Sequence, residues 1–247
     1  MSNFKDIFFR SIYPIYMATS IVILFLYFYL KKIPIFNKGF SFLRKCKYEE
    51  AINEFTNELN KKPRNWILYQ GIAYSYNMLG FFQNSINNYE KVLELGSKSI
   101  GIYFELAILY AEENKFDIAF DFIEKGKCLQ KKAFIFNRVS RFSINDFEGW
   151  VHHLKGDDKP ALNFYAKAIP ALNRQLKVTH SNFLEKFSPA YYRIGVIYKL
   201  KGEIEKAKEK FEQSIKASPP SIFAKRSQEE LKELEQIERS IPFKDLM

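Results

Sequence analysis

The sequence predicts an all-α protein in which one N-terminal transmembrane helix precedes a stack of about five helix pairs and a capping helix. Two observations predict this architecture. One is an uncharged apolar run near the N terminus, and the other is a pattern of small and aromatic residues that recurs every 34 positions. A third observation supports it, because no run shows the alternation of apolar and polar residues that is typical of a strand.

Residues 11–30 are the predicted membrane span. These twenty residues carry no charge, and at about 1.5 Å per residue a helix of that length crosses the hydrocarbon layer of a bilayer. Tyr13 and Tyr16 near one end and Tyr27 and Tyr29 near the other suit the two headgroup levels. A cleaved signal peptide has a shorter apolar region, and an interfacial helix needs a polar face, so both fit less well.

Basic residues follow the span more densely than they precede it. The positive-inside rule therefore predicts that the rest of the chain lies in the cytoplasm, with a bacterial inner membrane as the favoured location. The absence of an Asn-x-Ser/Thr sequon and the presence of only two cysteines agree with a reducing compartment. The same basic residues suit anionic headgroups. They are Lys31, Lys32, Lys38, Arg44, Lys45 and Lys47.

The rest of the chain repeats itself with a period of 34 residues, and the spacing resumes after insertions of eight and twelve residues. We therefore divide the chain into an anchor (1–32), a repeat array (33–221) and a capping helix with a tail (222–247). The predicted units lie near residues 32–65, 66–99, 100–133, 142–175 and 188–221. Columns that keep the step include Gly39, Ala73 and Ala107; Phe42, Tyr76 and Tyr110; and Tyr48, Phe82 and Phe116.

Each unit reads as two helices joined by a tight turn. In the second unit, Tyr69, Ala73 and Tyr76 fall on one apolar helical face. Gly80 then tolerates the positive φ that ends a helix. Small residues such as Ala73 and Ser85 are expected to face large neighbours where two helices cross closely. Since a single unit cannot bury its apolar stripe, the units must stack.

This spacing resembles the tetratricopeptide repeat family over residues 32–221. The resemblance implies a right-handed superhelix with a concave face, and it says little about the specific function. The fourth unit departs most, with His152 at a tyrosine position and Asp158 at an aromatic position. In the capping helix, Leu231 and Leu234 are expected to face inward. The fifth unit fits best, through Tyr191, Ile194, Gly195, Tyr198, Gly202, Ala207, Phe211 and Pro219.

The resemblance also implies which side chains line the concave face, because the first helix of each pair supplies most of it. Many of them are large and apolar, which is typical of a groove that binds a peptide or a helix. Trp150 and the tyrosines would contribute most of the binding energy. The expected positions are Phe36 and Phe40; Gln70, Tyr74 and Asn77; Phe104 and Ile108; Asp146, Trp150 and His153; and Tyr192, Val196 and Lys199.

Two alternatives to an open groove follow from the same residues. The membrane or the chain's own insertions could cover Phe36 and Phe40, and residues 176–187 could fold back into the groove. The set of Lys, Asn and Arg residues with which some family members bind C-terminal carboxylates is not reproduced. Only Arg193 matches it in one register, and a carboxylate needs paired cationic donors.

A net charge of +10 suggests an acidic partner, an anionic membrane or nucleic acid. Phe134 and Phe136 lie among basic residues and could stack on bases. Packing of an extended helix is the simpler interpretation, and we do not expect nucleic-acid binding.

No arrangement of residues indicates catalysis or a bound cofactor. His152 and His153 are adjacent on a predicted helix and point about 100° apart, so they cannot share one metal in standard geometry. Cys46 and Cys128 have no histidine beside them in sequence, and no phosphate loop or nucleophile elbow occurs. We therefore expect no enzyme activity, no metal and no cofactor.

The expected function is that of a membrane-anchored scaffold that binds partner proteins or peptides in its concave groove. Anchoring would raise the effective concentration of any partner in the same membrane. The alternative is a permanent structural subunit of a larger membrane complex. A subunit would remain bound on purification, whereas an assembly factor would come off.

Overall fold

The computed structural model describes residues 38–132, 141–178 and 188–240. The predicted span at residues 11–30 and Phe36 lie outside these ranges, as do most of residues 176–187. Within them the chain forms eleven α-helices and no strand. In chain order they are α1 (Lys38–Arg44), α2 (Tyr48–Leu59), α3 (Trp66–Leu79), α4 (Phe82–Glu94), α5 (Gly101–Glu112), α6 (Phe116–Lys132), α7 (Arg141–Leu154), α8 (Asp158–Val178), α9 (Ser188–Leu200), α10 (Ile204–Ala217) and α11 (Ile222–Ser240).

The first ten helices form five antiparallel pairs, and α11 packs after the last pair. This arrangement confirms the predicted all-α array. Of the helices described, none is both long enough and apolar enough to span a bilayer.

The five turns within the pairs share one backbone device. Each contains a residue with positive φ, and the amide of the next residue donates to a carbonyl five positions back, as Phe81 N–H does to Tyr76 O at 2.9 Å. Gly80 has a φ of 83°, which confirms its predicted role. The corresponding residues in the first and third turns are Cys46 and Asn114, so these turns form without glycine.

Aromatic rings of one helix fill the space left by small residues of its neighbour. A Cβ atom added to Gly195 would lie 2.5 Å from the ring of Phe211, and one added to Gly149 would lie 2.7 Å from the ring of Tyr165. Ser85 uses its small side chain differently, because its hydroxyl donates to the carbonyl of Ala73 at 2.8 Å. These contacts fix the distance between the helices of a pair.

The first pair of the array touches the end of the fifth. The hydroxyl groups of Tyr48 and Ser218 lie 2.6 Å apart, and both residues are buried. The thiol of Cys46 approaches the carbonyl of Ala217 at 3.8 Å. The stack therefore curves until its two ends meet, and α11 begins at this junction.

Buried serines fix the start of α11. Ser221 caps the helix by accepting a hydrogen bond from the amide of Ala224 at 3.1 Å. Its hydroxyl also lies 3.1 Å from that of Ser188, which in turn donates to the carbonyl of Ser214 at 3.0 Å. The first turn of α11 is thus tied to both helices of the fifth pair.

Candidate protein-binding face

The first helices of the pairs turn one face towards a shared apolar interior, which we call the concave cluster. In this cluster, side chains from all five pairs and from α11 pack together. Trp150 is 1% exposed, and its ring meets that of Tyr192 edge-on at 5.7 Å. Its buried members include Tyr48, Met78, Ile108, Trp150, Tyr192, Val196 and Phe223.

The expected open groove is therefore filled in this structure. Asn77, Ile108, Trp150, Tyr192 and Val196 are all buried, because the array closes on itself and α11 packs beside the last pair. Their role in binding a partner stays a prediction. It now requires that part of the chain move before a partner can touch them.

Phe104 belongs to the packing between helices and not to the groove, which corrects its predicted position. Its ring is fully buried, lies where a side chain on Gly126 would stand, and stacks on Phe147 at 5.5 Å. The half-buried residue next to it, Glu105, faces the charged groups of α7 and α9 instead. The 34-residue step places both residues on the same helix but does not decide which of the two points inward.

Other predicted residues keep part of their surface. Gln70 and Tyr74 are half-buried, and Tyr74 meets the ring of Tyr48 edge-on at 6.5 Å. Phe40 is half-buried against the ring of Phe55 at 5.0 Å. The ring of His153 packs 5.1 Å from that of Trp150.

A buried ion pair joins the fourth and fifth pairs. Arg193 binds Asp146 through two nitrogens, at 2.7 and 3.3 Å, and the Asp146 side chain is 4% exposed. Arg193, the single match to the carboxylate-binding set, is thus already engaged within the chain. Burial raises the pKa of the nearby Glu105 carboxyl, and the negative charge of Asp146 raises it further. The positive charge of Arg193 lowers this pKa but does not cancel the effect of burial, so the pKa of Glu105 is raised overall.

Helix α11 packs against one edge of the concave face, at the turns of the second and third pairs. Ile222 lies against Gly80. One turn later, Arg226 forms a two-pronged pair with Glu112, with distances of 3.0 and 2.8 Å, and lies over the ring of Phe82 at 5.5 Å. The Glu112 carboxylate also accepts the indole N–H of Trp150 at 3.4 Å.

Helix α11 also contacts two predicted partner-binding residues of the fifth pair, Tyr192 and Lys199. The ring of Phe223 lies 6.1 Å from that of Tyr192. Lys199 donates to Glu230 and to Glu233, each at 2.8 Å. Burial lowers the pKa of Lys199, but these two carboxylates outweigh it, so the ammonium group stays charged. Leu234 is buried and Leu231 partly buried, as predicted.

Sequence reasoning missed Glu112 and Arg226, which lie 114 positions apart. Neither residue has a local signal, because each reads as an ordinary charge on the polar face of a helix. Their pairing exists only once the array has curved through the fourth and fifth pairs.

No cluster of histidine, cysteine and acidic residues that could hold a metal ion occurs among the residues described by the structure. His152 instead stacks on the ring of Phe164 at 5.4 Å, and its Nδ1 lies 3.4 Å from an oxygen of Asp157. Both cysteines are free thiols, with Cys46 half-buried and Cys128 exposed.

Comparison with known proteins supports the repeat. Residues 188–221, the predicted fifth unit, match the family model for the tetratricopeptide repeat. A tetratricopeptide-repeat-containing protein of Methanocaldococcus jannaschii is 27% identical over 72% of this chain, and the match spans 28% of that protein's own length. These relationships indicate no catalytic family.

Solved structures show the same fold. A tetratricopeptide repeat protein of Thermus thermophilus superposes with a TM-score of 0.51 and 14% identity, over 78% of this chain and 95% of that one. One from Parabacteroides merdae gives 0.52 with 17% identity, over 80% and 82% of the two chains. The array therefore has the tetratricopeptide-repeat fold.

Proposed function

We propose that this chain is a membrane-tethered, non-enzymatic scaffold that binds a partner protein through the concave face of its repeat array. The observation that carries the proposal is the way this face already accepts an amphipathic helix. Three groups on the first helices of the pairs, the ring of Tyr192, the carboxylate of Glu112 and the ammonium group of Lys199, each contact a complementary side chain. These side chains of α11 are Phe223, Arg226 and Glu230 respectively. A surface built to hold one helix has the chemistry needed to hold another.

The tether is the apolar run at residues 11–30, which lies outside the described residues. Its length and its lack of charge support a retained span, and the basic residues after it support a cytoplasmic array. Confinement to a membrane would raise the concentration of a partner in the same membrane around the array.

Site-specific photo-crosslinking in native membranes tests the proposal. A photo-reactive amino acid at Gln70, half-buried on the concave helix α3, should trap a discrete partner. The same group at Asn53, exposed on α2, is the matched control and should not trap that partner. Identical products from both positions would contradict binding through the concave face.

Fractionation and thiol labelling test the tether. The full chain should resist extraction from membranes at alkaline pH, and a variant with Ile23→Lys and Phe25→Asp should be released. Each charge at the centre of a span costs about 2.5–3.5 kcal/mol of insertion free energy. In sealed vesicles the exposed Cys128 should react with an impermeant thiol reagent from the cytoplasmic side. Labelling only from the opposite side would reverse the proposed orientation.

A further inference from the structure

We infer that α11 occupies the position of a partner helix, and that this partner is an amphipathic helix with an apolar residue, an arginine and two acidic residues at the spacing found in α11. The inference rests on the proposed function and deepens it by naming the chemistry of the partner. It makes α11 an internal competitor that a better-matched helix displaces.

The contacts of α11 with the concave face define that spacing. Phe223, Arg226, Glu230 and Glu233 follow one another at steps of three, four and three residues, so they lie on one side of the helix. Phe223 contacts the ring of Tyr192, and Arg226 pairs with the carboxylate of Glu112. Both glutamates bind the ammonium group of Lys199. A competing helix must present the same three kinds of group in the same order.

The arginine is the most selective of these requirements. The Glu112 side chain is 4% exposed, and its two oxygens receive Arg226 and the indole of Trp150. If α11 left without a replacement, this carboxylate would lose its cation and keep only the indole N–H of Trp150 among these partners. The guanidinium group donates from one nitrogen to each oxygen in a planar fork, a geometry that the single nitrogen of an ammonium group does not reproduce, so the site favours arginine over lysine.

The attachment of α11 is uneven along its length, which makes local displacement feasible. Its start is fixed by the buried Ser221 cap, which belongs to the junction with the fifth pair. Beyond it, the ring of Phe223, the ion pairs of Arg226 and of Lys199, and the apolar contacts of Leu231 and Leu234 hold the helix. The helix can therefore pivot about Ser221, so that Phe223, Arg226 and the two glutamates leave the array together while the fifth pair stays folded.

A peptide in trans tests this inference independently of any natural partner. The probe is a fluorescent peptide of residues 222–240, and the protein is the full chain in detergent, as wild type, Arg226→Ala and Arg226→Lys. Wild type should bind the peptide weakly, because its own helix is present at an effective concentration of about millimolar. Arg226→Ala should bind it at least tenfold more tightly, and Arg226→Lys should fall between the two.

Hydrogen exchange on the same samples identifies where the change occurs. In Arg226→Ala, amides of residues 226–240 should exchange at least tenfold faster, whereas those of α10 should keep their protection. A peptide that itself carries Arg226→Ala should not bind, because it cannot pair with Glu112. The double variant Glu230→Ala and Glu233→Ala removes the ion pairs with Lys199 from the side of α11 and leaves the array unchanged, so it is a second release variant should Arg226→Ala fail to fold.

Three results would overturn the inference. One is equally weak peptide binding by wild type and by both release variants. A second is loss of protection in α11 only together with α10. A third is a concentration-dependent dimer formed by exchange of α11, which would make a second copy of this chain the occupant in place of a partner helix.

Discussion

The hydroxyl group of Tyr48 lies 2.6 Å from that of Ser218, although 170 residues separate them in sequence. This contact joins the second helix of the first pair to the end of the fifth. Burial raises the pKa of Tyr48 well above its usual range, so the phenol is a neutral hydrogen-bonding group. The array is therefore closed by a specific polar contact as well as by apolar packing.

Removal of the Tyr48 hydroxyl should lower the stability of the array. Tyr48→Phe keeps the ring but leaves the buried Ser218 hydroxyl without this partner, so we expect a loss of about 1–3 kcal/mol in the free energy of unfolding. Urea denaturation of Tyr48→Phe, Ser218→Ala and the double variant measures the coupling between the two residues. Strictly additive effects would show that the two ends do not touch in solution.

The close contact between Gly195 and the ring of Phe211 predicts a sharp difference between two glycines. Gly195→Ala should destabilise the fifth pair by about 1–3 kcal/mol, because the new methyl group would overlap the ring. Gly101→Ala is the matched control, since a side chain there finds open space at the start of α5. It should be neutral or stabilise by about 0.5–1 kcal/mol. Equal effects at both positions, measured by thermal or urea denaturation, would contradict the helix packing described above.

The hydroxyl of Tyr165 is buried and has no hydrogen-bond partner among the described residues. The ring itself fills the space beside Gly149 and should be kept. Tyr165→Phe removes only the unpaired polar group, so it should leave stability unchanged or raise it by about 1 kcal/mol. A clear loss of stability on urea denaturation would mean that the hydroxyl has a partner in solution.

The raised pKa of Glu105 predicts how stability varies with pH. A carboxyl group whose pKa is higher in the folded chain than in the unfolded one favours folding only while it is protonated. That contribution is complete below the unfolded pKa, about 4.3 for glutamate, and is lost as the pH rises through the higher folded value. Glu105→Gln should therefore be more stable than wild type at pH 7, with a smaller advantage at pH 4.

Urea denaturation at the two pH values measures this difference, and Glu212→Gln, at an exposed position of α10, is the control. The control should show no such dependence. An advantage of Glu105→Gln that is equal at both pH values would place the effect in packing and not in the charge.

The fold follows from the sequence to a large extent, because a 34-residue period constrains every pair in the same way. The turn at Gly80 and the close approach at Gly195 are both readable from local residue types. The closure of the array cannot be read from local residue types, because it is the sum of small rotations between successive pairs. The insertions after the third and fourth pairs alter that sum. For this reason Trp150 and Tyr192 could be assigned to the concave face, but their burial could not be foreseen.

The same limit applies to the candidate site. Lys199 was predicted to face the groove, and it does contact a helix there, although the helix belongs to the chain itself. Glu112 and Arg226 gave no signal because a charged pair between distant helices has no sequence period. Phe104 was misplaced because the 34-residue step identifies the helix but not which of two neighbouring residues, about 100° apart around it, points inward.

The most direct test of the central claim is the yield of partner crosslinked from Gln70 in native membranes, compared among wild type, Arg226→Lys and Arg226→Ala. If α11 holds the place of a partner helix, the yield should rise severalfold in Arg226→Ala and by a smaller factor in Arg226→Lys, at equal protein levels. Equal yields from all three proteins, or a lower yield from a folded Arg226→Ala protein, would contradict the account.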